Sequence, residues 1–481
     1  MIFAVAFFIN STANFAIGLT LSALLGPAEF GRYATAMLAA MTLATAVFDW
    51  LRLSSQRFSG DIEGRARVAA SLDLAFLVMM GLAVLAAAIC FLAGFRFGFG
   101  LTLVALIPFV AIANARCDYS GAQLRARDQA KAFAALYAMR QTLTFTMVVA
   151  VALWTRDAAS VIAAMAVASL APAIMVSAAL RTAGATLSQA SRERLGQFVI
   201  YAKPIVASTV IYQLIGLINR QTALTLFGAA ATGKLSLATD LGLRLFLVVN
   251  VLPEILLFQF ALKRDREDGR KAAQRQIGVN SVIVFAILAP LTAGYMAMAP
   301  TFEALVVPVA YRGDFARLSL ELAPGFFAYC ALYSTLNPVF QLAQRTWPLT
   351  LAALVALGAD AVMLRFDVFT RTVDGLALAY AASLGVGFLA AAIPGFREPA
   401  SRPPIKDLLV IAVATAAMTA AIRPLNGIAP ALVVAALAVA IGAVIFGAFL
   451  MTFNVAGLRT AVLGRLSERR MGFASSVRPN S

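Results

Sequence analysis

Gly228, Gly233 and Lys234, in the stretch LFGAAATGKLSLATD (226–240), fall one residue short of a phosphate-cradling loop. Such a loop needs Ser or Thr after the lysine to reach a magnesium ion, a strand before it and a helix after it. Here Leu235 takes the hydroxyl position and both flanks are apolar. No acidic strand that would complete a nucleotide site is present, so neither nucleotide nor other cofactor is expected. The chain has no histidine, which removes the commonest general base and metal ligand, and no metal is expected. Cys90, Cys117 and Cys330 lack any paired or metal-like spacing and read as small buried hydrophobes.

The remaining chemistry lies in ionisable groups set into apolar runs. Placing one in a membrane helix costs ~2.5–3.5 kcal/mol on insertion scales, so it faces a cavity or a partner. The cations so placed are Arg140, Lys203, Arg220 and Arg244, with Arg52 at the inner end of its segment. Each has a plainer reading. Asp240 and Arg244 are four apart on one helix face and can neutralise each other, as can Asp49 and Arg52. Lys203 precedes Pro204 near a helix start and can reach the headgroups. Arg220 can simply mark the outer interface, while Arg140 has no acid nearby in the sequence. Among the acids, Asp240, Glu254 beside Pro253, and Asp360 are candidates for coupling to a proton or sodium ion, since a carboxylate must carry a proton where histidine is absent.

Polar stripes accompany these charges. Asn10, Asn14, Gly18 and Ser22 recur every four residues. Thr209, Tyr212, Gly216 and Asn219 follow at spacings of three, four and three, and Tyr333, Asn337 and Gln341 at spacings of four. Such faces either line a wet lumen or pack helices through small and hydrogen-bonding residues.

What positions these groups is a bilayer. Of 481 residues 61% are hydrophobic and 13% charged, against roughly 25% charged in a soluble domain. Runs of about 20 apolar residues are long enough to cross. We place fourteen spans, at 2–25, 33–53, 68–94, 99–117, 130–153, 158–180, 197–221, 234–260, 277–299, 319–343, 347–364, 374–394, 406–422 and 428–452. The N-terminal stretch has no basic leader region or cleavage site and reads as the first span. With both termini in the cytoplasm, about two-thirds of the 39 lysines and arginines fall in cytoplasmic segments, as the positive-inside rule requires. The net charge of +16 is therefore mostly a topology signal and implies no nucleic-acid partner. The segment KRDREDGRKAAQRQ (263–276) reads as a helix-prone cytoplasmic loop touching anionic headgroups. No connection is long enough to hold a separate domain.

The near-miss loop has a partner within the chain. LGPAEFGRYATAM (25–37) and FGAAATGKLSLAT (227–239) superpose Gly26 on Gly228, Gly31 on Gly233 and Arg32 on Lys234. Each joins the first two helices of a set of six, and glycine suits both the left-handed exit from one helix and close approach to the next. Parallel repeats of this kind are a recurrent transporter design.

LLGPAEFGRYATAMLAAMTLATAVFDWLRLSSQRF (24–58) resembles the helix 1–2 signature of the polysaccharide flippases, in the multidrug/oligosaccharidyl-lipid/polysaccharide exporter superfamily. The echo at 227–241 and LNPVFQLAQRT (336–346) fit the same pattern. The resemblance implies an all-α membrane protein with two six-helix lobes (1–180 and 197–394) in a MATE-like arrangement. The two are joined by a cytoplasmic linker at 181–196 and followed by a helix pair at 395–452 and a tail at 453–481. It also implies alternating access that moves an undecaprenyl-diphosphate-linked oligosaccharide from the inner to the outer leaflet of a bacterial inner membrane. Membrane lipids and polysaccharide polymerase or chain-length machinery would be its partners. Arg140, Arg244, Lys203, Arg220 and Arg52 would then meet the diphosphate, with Asn10, Asn14, Tyr212, Asn219 and Asn337 lining the lumen. The alternatives are a drug or metabolite antiporter of the same superfamily, which would favour acids and aromatics in its lumen, and a polysaccharide polymerase or ligase. The latter needs a large external loop bearing Arg or His, which this sequence lacks.

Overall fold

The computed structural model describes residues 2–58, 65–94, 100–180, 186–343, 345–428 and 430–460. The side chains of residues 2–9, Cys90 and Glu254, and the segments 181–185 and 461–481 of the expected linker and tail, lie outside the described residues. Among those described, regular structure is helical throughout. In order the helices are α1 (Ile2–Phe58), α2 (Arg65–Leu92), α3 (Leu101–Ala126), α4 (Ala130–Thr155), α5 (Ala158–Leu180), α6 (Arg192–Asp268), α7 (Arg270–Ala297) and α8 (Ala299–Val306). There follow α9 (Asp314–Ala331), α10 (Asn337–Leu342), α11 (Trp347–Met363), α12 (Asp367–Thr370), α13 (Val373–Gly395), α14 (Ile405–Ile422) and α15 (Ala431–Thr452).

Ten of these are long and apolar enough to cross a membrane. Two of the ten are double. Helix α1 breaks at Gly26 (φ 70°, ψ 172°) and α6 at Gly228 (φ 80°, ψ 177°), each leaving two spanning limbs. Helix α9 runs through a π-turn at Leu332–Leu336 into α10, and α11 is a shorter apolar helix. Counted this way, the described helices account for the fourteen spans. Large apolar side chains such as Trp154 (90% exposed), Ile393 and Val439 stand on the outside, as lipid-facing residues do.

The breaks at Gly26 and Gly228 are tighter than the sequence suggests. Residues 27–32 and 229–234 were expected to connect spans, yet both are helical. Pro27 opens its limb without cost, because the first turn of a helix has no use for the missing N–H. One glycine at positive φ therefore does the whole work of each break.

The two copies also touch. A Cβ on Gly31 would lie 2.1 Å from the Ala229 carbonyl oxygen and 2.7 Å from Gly233 N. A Cβ on Gly233 would lie 1.9 Å from the Pro27 carbonyl oxygen and 3.1 Å from Gly31 N. Ala229 is the repeat equivalent of Pro27 and Gly233 of Gly31, so the contact is reciprocal. Backbones this close exclude any side chain and bring Cα–H groups onto carbonyl oxygens.

The chain divides into two compact units. The first holds residues 1–248, 307–325 and 346–390, and the second 249–306, 326–345 and 391–481. Within the first, α1 packs against α3 and α4, and α3 against α5. Phe48, Leu51, Leu72, Phe76, Tyr119 and Phe198 form one apolar core. The loop before α9 folds over α1, where buried Tyr311 donates to the Ser22 carbonyl at 3.1 Å and meets Phe30 edge-on. Within the second unit, α14 packs on α7 and α15 around Val282, Ile411, Met418 and Phe446.

Candidate functional site

All five candidate cations lie in the first unit, and their surroundings separate them. Arg220 is buried, with its side chain 6% exposed. It forms an ion pair with Asp240 and donates to the Ala34 carbonyl at 3.1 Å. Asp240 thus closes on a residue of the preceding limb of α6, and the four-residue pairing with Arg244 on its own helix is not the one made. Arg140 is also taken: Nη1 lies 2.9 Å from Asp118 Oδ1 and Nη2 lies 2.9 Å from Asn114 Oδ1, both on α3. Arg52 pairs with Asp49 through both carboxylate oxygens. Lys203 is exposed.

Arg244 stands apart. Among the described residues it makes no ion pair; its Nη1 donates to the Asn14 carbonyl of α1. Gly18, one turn further along α1, provides the room, since a Cβ there would come within 3.1 Å of Arg244 Nη1. The stripe of Asn10, Asn14, Gly18 and Ser22 is therefore a contact face. Asn14 donates to the Asn10 carbonyl at 2.9 Å, Asn10 Oδ1 accepts from Gln141 of α4, and Ser22 receives Tyr311. A polar chain runs from Gln141 through Asn10 and Asn14 to Arg244.

The second stripe meets the buried acid. Asn219 Nδ2 donates to Asp360 Oδ1 at 2.8 Å, joining α6 to α11. Both residues are almost fully buried, and among the described residues Asn219 Oδ1 and Asp360 Oδ2 receive no donor. Tyr212 lies on the same face of α6, buried so close to Gly387 of α13 that a Cβ there would fall 2.6 Å from its hydroxyl. Asn337 is half-buried in α10, in the second unit, just past the π-turn. There Asn250 receives the Ser334 hydroxyl at 2.8 Å. The described residues hold no cluster of acids, cysteines and histidines able to bind a metal ion. Cys117 and Cys330 are buried free thiols.

Sequence reading missed Asp118, Asn114 and Gln141. Asp118 follows the apolar run of α3 and looks like a cytoplasmic loop residue until the fold brings α4 beside it. Gln141 follows Arg140 directly and carries no charge to mark it.

These features define a multi-pass helical membrane protein with polar and charged groups gathered inside one unit. No protein-family model matches the sequence, and no curated protein matches it in sequence. Among solved structures, a lipid II flippase MurJ in an inward closed conformation has a TM-score of 0.75 at 13% identity, over 94% of this chain and 98% of that one. An inward-facing multidrug resistance MATE transporter of the MOP superfamily reaches 0.55 at 16% identity, over 84% and 95%. A MOP superfamily transporter from Pyrococcus furiosus, described by the reverse polarity of its binding pocket, reaches 0.54 at 15% identity, over 85% and 94%. The chain has the fold these transporters share.

Proposed function

We propose that this chain is a membrane transporter, not an enzyme. In this reading it flips a lipid-diphosphate-linked oligosaccharide, of the undecaprenyl-diphosphate type, from the inner to the outer leaflet of a bacterial inner membrane. Both termini face the cytoplasm, and residues 1–180 and 197–394 work as two lobes giving alternating access. The observation that carries the reading is Arg244: a half-buried guanidinium in mid-span, anchored to a backbone carbonyl and without a carboxylate partner among the described residues. A membrane cation held in this way needs an anion, and a diphosphate meets a guanidinium fork in kind. The fold of a lipid II flippase supports the same substrate class. A drug or metabolite antiporter handling cations has no use for an arginine so placed.

Energy coupling is assigned in this proposal to Asp360 with Asn219, whose buried oxygens offer a proton or a sodium ion two acceptors. Arg140, Arg52 and Arg220 are held in ion pairs and act on the substrate only by exchanging partners. Lys203, exposed near the start of α6, would be an early contact for an anionic headgroup. Asp240 serves Arg220, and Asn10, Asn14 and Tyr212 are assigned to a lumen within the first unit.

The test is export. A clean deletion should leave undecaprenyl-diphosphate oligosaccharide on the inner leaflet, and Arg244→Ala should fail to restore export while Arg244→Lys restores part of it. Unchanged surface polysaccharide in the deletion strain would sink the reading.

A further inference from the structure

Asp118 holds its cation differently from Asp49. Asp49 sits one turn from Arg52 on the same helix, whereas Asp240 reaches Arg220 across the break at Gly228, from the other limb of α6. Asp118 reaches Arg140 across a helix interface, from α3 to α4. Its Oδ1 accepts from Arg140 Nη1 at 2.9 Å and from the Tyr137 hydroxyl at 3.4 Å. The pair is also asymmetric: the Asp118 side chain is 41% exposed and that of Arg140 only 17%. Arg140 keeps a second acceptor, Asn114 Oδ1, at 2.9 Å, so it stays anchored if Asp118 leaves.

We propose that Asp118 is a resident stand-in for a phosphate group. Its carboxylate fills an anion seat formed by Arg140 and Tyr137, yields that seat to an incoming phosphate or diphosphate, and takes it back on release. Carboxylate and phosphate oxygens compete for the same guanidinium fork, and a diphosphate brings more charge and more acceptors. A buried guanidinium left without an anion is unfavourable, so the empty seat needs an internal counter-ion. A counter-ion that must also leave belongs on the exposed side of the pair and on a different helix, where Asp118 is found. Its competition keeps the affinity low enough for the substrate to depart. The proposal rests on the lipid-diphosphate reading and adds a residue that sets the balance between capture and release.

The test uses the full chain in nanodiscs, with undecaprenyl diphosphate in the bilayer and inorganic pyrophosphate in solution as probes. Removing the competing charge with Asp118→Asn should tighten binding of both by about tenfold, and Asp118→Glu should leave it near wild type. Asp118→Ser should act in the same direction as Asp118→Asn, which guards against one variant failing to fold. Flipping by the neutral variants should slow as release slows, with thermal unfolding showing them folded. If the neutral variants bind undecaprenyl diphosphate no tighter or more weakly than wild type, Asp118 merely orients Arg140 and the proposal falls, while the lipid-diphosphate reading stands. A gain confined to the prenyl compound also overturns it, because the phosphates would not be its source. If wild type and variants alike bind no undecaprenyl diphosphate, both readings fall together.

Discussion

Asn219 donates to Asp360 across 2.8 Å, and among the described residues no other donor reaches that carboxylate. A buried acid with a single neutral partner is expensive unless something else compensates for its charge. Asp360→Asn keeps the shape and removes the ionisable group. We expect it to fold normally and to lower transport by about tenfold or more, as loss of a coupling carboxylate does. Transport measured against imposed proton and sodium gradients checks this; full gradient-driven activity in Asp360→Asn would remove Asp360 from the coupling role.

Arg220 and Arg244 should respond to alanine in opposite ways. Arg220→Ala strands Asp240 and the Ala34 carbonyl inside the first unit and should cost about 3 kcal/mol of stability. Arg244→Ala breaks no ion pair and should leave the melting temperature near wild type while abolishing export. Thermal unfolding in detergent, paired with a complementation assay, separates the two. Equal destabilisation by both would mean that Arg244 is structural.

Gly31→Ala and Gly233→Ala should each force two backbones apart. The added Cβ would sit about 2 Å from a carbonyl oxygen of the facing turn, far inside contact distance, and no flexible side chain is there to yield. We expect lowered thermal stability in each, with greater labelling of the adjoining residues by a water-soluble reagent. Gly18→Ala is a milder control, since its neighbour is the movable end of Arg244.

Acid should weaken the contact between the second repeat turn and the start of α9. Lys234 lies 2.6 Å from Asp314, and Arg317 bonds the same carboxylate at 2.6 Å. The Lys234 hydrogen bond, helped by Arg317, holds the Asp314 carboxyl below its ordinary value of 3.8. Its stabilising contribution is complete above that ordinary value and is lost as pH falls through the lower folded one. The melting temperature should therefore drop more steeply below pH 4 in wild type than in Asp314→Asn; parallel curves would show that Asp314 adds nothing.

The helix pattern was legible because a bilayer writes it in runs of apolar residues, and both helix breaks because only glycine takes their φ. Pairings across the bundle were not. The spacing of Asp240 and Arg244 pointed to an intrahelical pair, yet the break at Gly228 brings Arg220 back beside Asp240. Arg140 seemed isolated because its acid, Asp118, lies 22 residues earlier on the neighbouring helix. Periodicity tells which residues share a face and leaves open which helix that face will meet.

The reciprocal seat at Gly31 and Gly233 means that neither copy of the turn can vary alone there. Each turn is the mould for the other, as in a symmetric dimer where one patch recognises its own copy. Had the two copies been on separate polypeptides, this contact would be part of a dimer interface. Joined in one chain, it makes two distant stretches of sequence answerable to a single steric constraint.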